Sequence, residues 1–221
     1  MEFGNVKVEW LGHAGFMIKG EKVIYIDPFK IGNTHEHADI VLITHSHYDH
    51  CSLEDLRKIV RDGTFIVMPA DAQSKITKID KKVEMKLVEP GDSVDFGIKI
   101  EVHPAYNIGK NFHPKNEGWV GYVVKIGNLV FYHAGDTDVI PEMSKLTGYG
   151  KKGNEFIALL PVGGKFTMNA DEAVEAAKII KPSIAIPMHY GEFIGTSEDA
   201  KKFVELCKSH GINAVILEKK H

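Results

Sequence analysis

The chain has 221 residues, of which 43% are hydrophobic and 26% charged, with a formal net charge of −3. That length can bury a sizeable core, and the composition is that of an ordinary soluble globular protein. The acidic balance gives no electrostatic case for nucleic acid, and arginine occurs only at Arg57 and Arg61, so bidentate clamps for phosphate are scarce.

Alternation of apolar and polar residues predicts a strand over 6–10, with two more over 14–18 and 22–26 around a turn at Gly20-Glu21. The continuous apolar run 40–43 reads as a strand buried on both faces. Ser52 opens a helix whose Leu53, Leu56, Ile59 and Val60 share one face. Strands are predicted over 65–68, 84–88, 93–96, 98–103, 119–126 and 129–133, the last two joined by a turn at Gly127-Asn128. After them come a strand over 156–162 and a helix over 170–180, capped by Asn169 and stopped by Pro182. A strand over 184–188, a helix from Ser197 to Gly211 and a last strand over 212–217 complete the chain. No linker or low-complexity tract interrupts this order, so residues 1–221 are expected to form a single α/β domain. Cys51 and Cys207 lie far apart and fit a reducing compartment. Met1-Glu2-Phe3-Gly4 lacks the regions of a signal peptide, and no apolar run approaches the roughly 20 residues of a membrane span. A cytoplasmic protein without membrane attachment is the expectation.

Histidine placement carries the functional signal. His45, His47 and His50, with Asp49, fall within six residues just after the buried strand 40–43. Side chains two apart on an extended backbone point the same way, so His45 and His47 can converge on one ion. The turn into the helix at Ser52 can swing Asp49 and His50 toward a second. Imidazole and carboxylate are the usual ligands of zinc and other first-row divalent ions, and two ions about 3.5 to 4 Å apart form a hydrolytic clamp. Further candidate ligands stand at predicted strand ends: His103, Asp136 and His189. The nearby His35-Glu36-His37 precedes the buried strand and is read as solvated.

The ordered set of His-x-His-x-Asp-His, His103, Gly135-Asp136 and His189 resembles the metallo-β-lactamase superfamily over essentially the whole chain. Within it the chain is similar to small metal-dependent hydrolases of the ascorbate-6-phosphate lactonase branch. The residues behind that likeness are Trp10-Leu11-Gly12-His13-Ala14, Ile26-Asp27-Pro28-Phe29, His133-Ala134-Gly135-Asp136-Thr137, the run 160–168 and Pro187-Met188-His189-Tyr190. The resemblance implies a four-layer αββα sandwich, two mixed sheets face to face with helices outside. It also implies that His45, His47 and His103 hold one metal, Asp49, His50 and His189 the other, with Asp136 bridging. Two divalent ions follow, Zn2+ first, with Mn2+ or Fe as alternatives.

The chemistry implied is hydrolysis of a small-molecule ester, lactone or phosphate-containing substrate by a metal-bridging hydroxide that Asp49 both ligates and orients. Candidates for substrate contact or for support of the ligands are His13, Asp27, Tyr106, His113, His133, Lys165 and Tyr190. The polar segment 106–119 reads as a substrate wall or lid, and 163–167 as an anion cradle of backbone amides with Lys165. A nuclease on the same centre, a di-iron redox protein and a non-catalytic scaffold are the competing readings. The low charge and scarce arginine argue against the first, and the absence of a flavin or rubredoxin-like motif argues against the second. The open coordination position implied by the ligand set argues against the third.

Overall fold

The computed structural model describes residues 1–33, 36–151 and 153–220, so His35 lies outside the described residues. Two compact units divide the chain: Met1–Val88 with the C-terminal residues from Leu217, and Glu89–Ile216.

In the first unit, β1 (Glu2–Phe3), β2 (Val6–Gly12), β3 (Gly15–Lys19), β4 (Val23–Ile26), β5 (Ile40–Leu42), β6 (Phe65–Met68) and β7 (Glu84–Leu87) form one sheet in that order. Neighbours from β1 to β4 are antiparallel, and those from β4 to β7 parallel. The predicted run 40–43 is buried throughout, as a central parallel strand requires. Its crossover to β6 is α1 (Leu53–Ile59). Ser52 caps this helix: its hydroxyl accepts from the Asp55 amide at 3.3 Å and donates to the Asp55 carboxylate at 2.6 Å. Leu56 and Ile59 are fully buried in a core with Tyr25, Val41 and Ile66. Each such burial contributes about 1.5–3 kcal/mol.

The second unit repeats the scheme. Its sheet runs β13-β12-β11-β10-β9-β8, built from β8 (Ser93–Asp95), β9 (Lys99–Pro104), β10 (Val120–Ile126), β11 (Leu129–His133), β12 (Glu155–Pro161) and β13 (Ile184–Met188). The pairs from β8 to β11 are antiparallel and those from β11 to β13 parallel. α3 (Ala170–Ile180) is the crossover from β12 to β13, and α4 (Ser197–Ser209) follows β13; α2 is the short helix Gln73–Ile76 of the first unit. Both sheets are therefore mixed, and the expected α/β class stands. The predicted strand 212–217 does not form. Only single bridges, Ala185 to Ala214 and Trp10 to Lys219, occur in this region. None of residues 212–217 is buried, and Ile216 is 42% exposed, so no face of the run is held.

Strand directions decide where chemistry can collect. In the first sheet β2, β4 and β5 run the same way, so the loops after Gly12, Ile26 and Leu42 leave one edge. In the second, β9, β11, β12 and β13 share a direction, so the loops after Pro104, His133, Pro161 and Met188 leave one edge. Among the described residues, no helix is long and apolar enough to cross a membrane.

Candidate metal centre

The edge of the first sheet carries His13, Asp27, His45, His47, Asp49 and His50. Asp27 is fully buried at the end of β4 and organises the rest. Its Oδ1 accepts the Thr44 amide at 2.8 Å, and its Oδ2 accepts the Thr44 hydroxyl at 2.6 Å and His50 Nδ1–H at 2.7 Å. With its hydrogen spent on Asp27, the Thr44 oxygen is an acceptor for His45 Nδ1–H at 3.0 Å. Both imidazoles thereby keep their protons on Nδ1 and present Nε2 as the electron-pair donor, the state a divalent ion requires.

Asp49 Oδ2 lies 2.9 Å from His13 Nε2 and 3.3 Å from His50 Nε2. Donor atoms of His13, Asp49 and His50 all fall within 4.8 Å of one another. Bonds of about 2 Å from each can meet on one ion at that spacing, so the residues fit a metal. His45 Nε2 and His47 Nδ1 stand 2.9 Å apart, a separation that a shared proton or cation relieves. His13 thus joins the set directly instead of supporting it from behind.

In the second unit the same device recurs. Asp136 follows β11 and the left-handed Gly135, with φ 66°. Its Oδ2 lies 3.2 Å from His113 Nε2 and 3.1 Å from His189 Nε2. His113 and His189 are each 1% exposed and Asp136 4%, so this too is a buried carboxylate between two imidazoles. Fully buried His133 accepts the Gly135 amide on Nδ1 at 3.2 Å, which shapes the turn that presents Asp136.

Three of the positive-φ non-glycine residues are His13 (53°), Asp27 (44°) and His189 (60°), each at the C-terminal end of a strand. Left-handed backbone there costs about 1–3 kcal/mol and collects at functional sites. Gly163 makes room for the last of them. A Cβ on it would lie 2.3 Å from the His189 carbonyl oxygen and 3.3 Å from His189 Nδ1. Gly163→Ala is expected to lower stability by about 1–3 kcal/mol and to displace His189. Urea unfolding and zinc titration check this, and wild-type values in both would contradict it.

The structure does not bring His103 to Asp136. Strand period sets Lys99, Glu101 and His103 on one face of β9, while Ile100 and Val102 are buried on the other. His103 lines a groove of about 610 Å³ with Lys99, Glu101, Trp119, Lys145 and Tyr149, and burial holds its pKa below the usual imidazole value. His113, ten residues on and inside the loop, occupies the place beside Asp136. Tyr106 also leaves the set: its hydroxyl donates to Glu142 at 2.8 Å, and burial, with Glu142 beside it, raises its pKa. Tyr190 is buried, and that burial pushes its phenol up to about 12.

The run 163–167 is a closed turn, not an anion cradle. The Gly164 amide donates to Met168 O at 3.0 Å and the Thr167 amide to Gly164 O at 2.8 Å. Lys165 is exposed, with its ammonium 5.0 Å from the Phe166 ring centre. Glu36 and His37 are exposed, as their position before β5 predicts. Cys51 is buried, and burial drives its thiol to about 11, so it stays protonated near neutral pH.

Comparison with known proteins places the chain in a family. The profile of the β-lactamase superfamily domain matches residues 7–189, which contains both carboxylate–imidazole clusters. A metal-dependent hydrolase of Thermoplasma acidophilum is 35% identical over 97% of this chain and 96% of its own length. One of Pyrococcus horikoshii is 37% identical over 91% of this chain and 92% of its own. The crystal structure of a protein of Parabacteroides distasonis, described as a metal-dependent hydrolase, is 30% identical, with a TM-score of 0.83 over 97% of this chain and 94% of that one. The chain belongs to the metallo-β-lactamase superfamily, among its metal-dependent hydrolases.

Proposed function

We propose that the two clusters are metal sites of a hydrolase that acts on a small-molecule ester or lactone. The observation that carries this reading is the repeated motif: Asp49 against His13 and His50, and Asp136 against His113 and His189. His45 and His47 complete the first cluster, and His113 takes the part first expected of His103. Divalent ions bound by such a set lower the pKa of water and polarise the oxygen of a scissile bond. Zinc suits imidazole and carboxylate ligands; manganese and iron are the alternatives. Asp27 and Thr44 hold the imidazoles of His50 and His45 in their donor state; Asp49 would orient the attacking group, and Asp136 would supply an anionic ligand.

The substrate class follows from the charges beside these loops. Arg57 donates to the Lys78 carbonyl and Arg61 to Asp39, Lys110 pairs with Asp138, and Lys115 pairs with Glu142. These four cations are thus already engaged, which favours an uncharged ester or lactone over a phosphate-bearing molecule or a nucleic acid. Phe112, 44% exposed beside His113, and Tyr48, 61% exposed beside His47, favour a substrate with an apolar body.

Metal analysis of the purified chain is expected to give two ions under metal-replete conditions. A screen of lactones, esters, thioesters and phosphodiesters is expected to give metal-dependent turnover of the first two. Fewer than one ion per chain refutes the two metal sites, and turnover confined to phosphodiesters refutes the substrate class.

A further inference from the structure

The segment 106–119 reads from its sequence as a substrate wall or lid, and its hydrogen bonds are those of a fixed arm. The Asn107 amide donates to His113 O at 2.7 Å, closing the loop on itself, and the Asp138 amide donates to Tyr106 O at 3.0 Å. Asp138, 5% exposed, accepts the Ile108 amide at 2.8 Å, the Asn107 side chain at 3.1 Å and Lys110 at 2.5 Å. Lys110 also donates to Thr167 O at 2.9 Å.

Asn107 stands at the middle of this network, 8% exposed. Its Oδ1 accepts the His113 amide at 2.9 Å and lies 3.0 Å from His113 Nδ1; its Nδ2 donates to Phe166 O at 2.9 Å as well as to Asp138. The opposite amide orientation would set N–H against N–H at His113 and oxygen against oxygen at Asp138 and Phe166, so the orientation is forced. His113 Nδ1 then faces two acceptors, Asn107 Oδ1 and Phe166 O at 3.1 Å. It must carry the proton. Its Nε2, 3.2 Å from Asp136, is left as the donor of an electron pair.

We infer that Asn107 is a positioning residue that fixes both the ring orientation and the tautomer of His113, with Asp138 and Lys110 anchoring Asn107 in turn. The role toward the ion rests on the proposed part of His113 as a ligand; the tautomer does not. It is the counterpart of Asp27 at His50, made with a neutral amide.

The test uses the full chain labelled at histidine nitrogen. In the metal-free protein, long-range nitrogen–proton spectra at about pH 8 are expected to show His113 protonated at Nδ1. Asn107→Leu leaves His113 Nδ1 the Phe166 carbonyl alone, so it is expected to admit a measurable share of the Nε2-protonated form and to weaken zinc binding about 10- to 100-fold in a chelator competition. Asn107→Asp keeps the acceptor oxygen toward His113 but sets oxygen against Asp138 and Phe166, so it is expected to keep the Nδ1 proton while lowering stability. A wild-type His113 lacking the Nδ1 proton overturns the inference even if Asn107→Leu fails to fold. So does a folded Asn107→Leu variant with wild-type tautomer and affinity. Unchanged zinc affinity in His113→Ala would instead remove the ligand reading, and Asn107's role toward the ion with it, while the tautomer result stands apart.

Discussion

Asp27→Asn is expected to weaken both the fold and the metal site, although it changes one atom. The carboxylate takes three buried donors on two oxygens: the Thr44 amide, the Thr44 hydroxyl and His50 Nδ1–H. An amide has one oxygen to offer. If that oxygen faces Thr44 Oγ1 and His50, the new N–H₂ group meets the Thr44 amide, donor against donor. If it faces the Thr44 amide instead, the N–H₂ group meets His50 Nδ1 and drives the proton to Nε2, where His50 should donate electrons. The Thr44 hydroxyl then loses its acceptor, and His45, oriented through that hydroxyl at 3.0 Å, is released as well. A buried donor without an acceptor costs about 1–3 kcal/mol, so a loss of about 2–4 kcal/mol is expected in the metal-free chain. Ion affinity should fall about 10- to 100-fold. Asp27→Ala removes all three acceptor contacts and should cost about 3–5 kcal/mol. Urea unfolding in chelator separates the fold's share from the stabilisation a bound ion adds, and chelator competition reads the affinity. Wild-type stability and affinity in Asp27→Asn would refute this account of the carboxylate.

How much of this was legible depends on whether a side chain's role is set locally. The strand ends at His45–His50, Asp136 and His189 were legible because a buried apolar run followed by ligand-type residues is a local pattern. The helix over 170–180 was legible to the residue, since Asn169 and Glu172 make a local capping box. His103 misled for a physical reason. Alternation along β9 fixes its face with Lys99 and Glu101, and only the register of β9 on β10 shows where that face points. His113 lies in a polar loop whose path is set by Asn107, Asp138 and Phe166, contacts up to 59 residues apart that no local pattern reveals. His13 depends on a left-handed backbone after Gly12 that aims it at Asp49, 36 residues away. His tolerates that conformation better than most residues, so its identity was permissive and not diagnostic. The expected strand at 212–217 failed because apolar alternation predicts a strand only where something covers one face.

Asp49→Ala is expected to have the largest effect on turnover. Asp49 is 6% exposed, and its Oδ2 accepts from or faces two imidazole Nε2 atoms, at 2.9 Å from His13 and 3.3 Å from His50. Removing the carboxylate leaves two imidazoles without the negative charge that brings them together, so an ion held there loses its anionic ligand. It also removes the acceptor proposed to orient the attacking group. Together these should lower kcat/KM by about 10³- to 10⁴-fold, or about 4–5.5 kcal/mol of transition-state stabilisation at 1.36 kcal/mol per tenfold. The bound-ion count should fall from two toward one, because the cluster around Asp136 keeps its own carboxylate. Ligation and orientation separate in Asp49→Asn, whose amide oxygen still ligates weakly but draws no proton. Two bound ions with a lost rate in that variant would assign Asp49 mainly to orientation; loss of one ion with a proportionate loss of rate would assign it mainly to ligation. Full activity with two ions bound in Asp49→Ala would reject both roles and move the chemistry to Asp136, the remaining carboxylate held between two imidazoles.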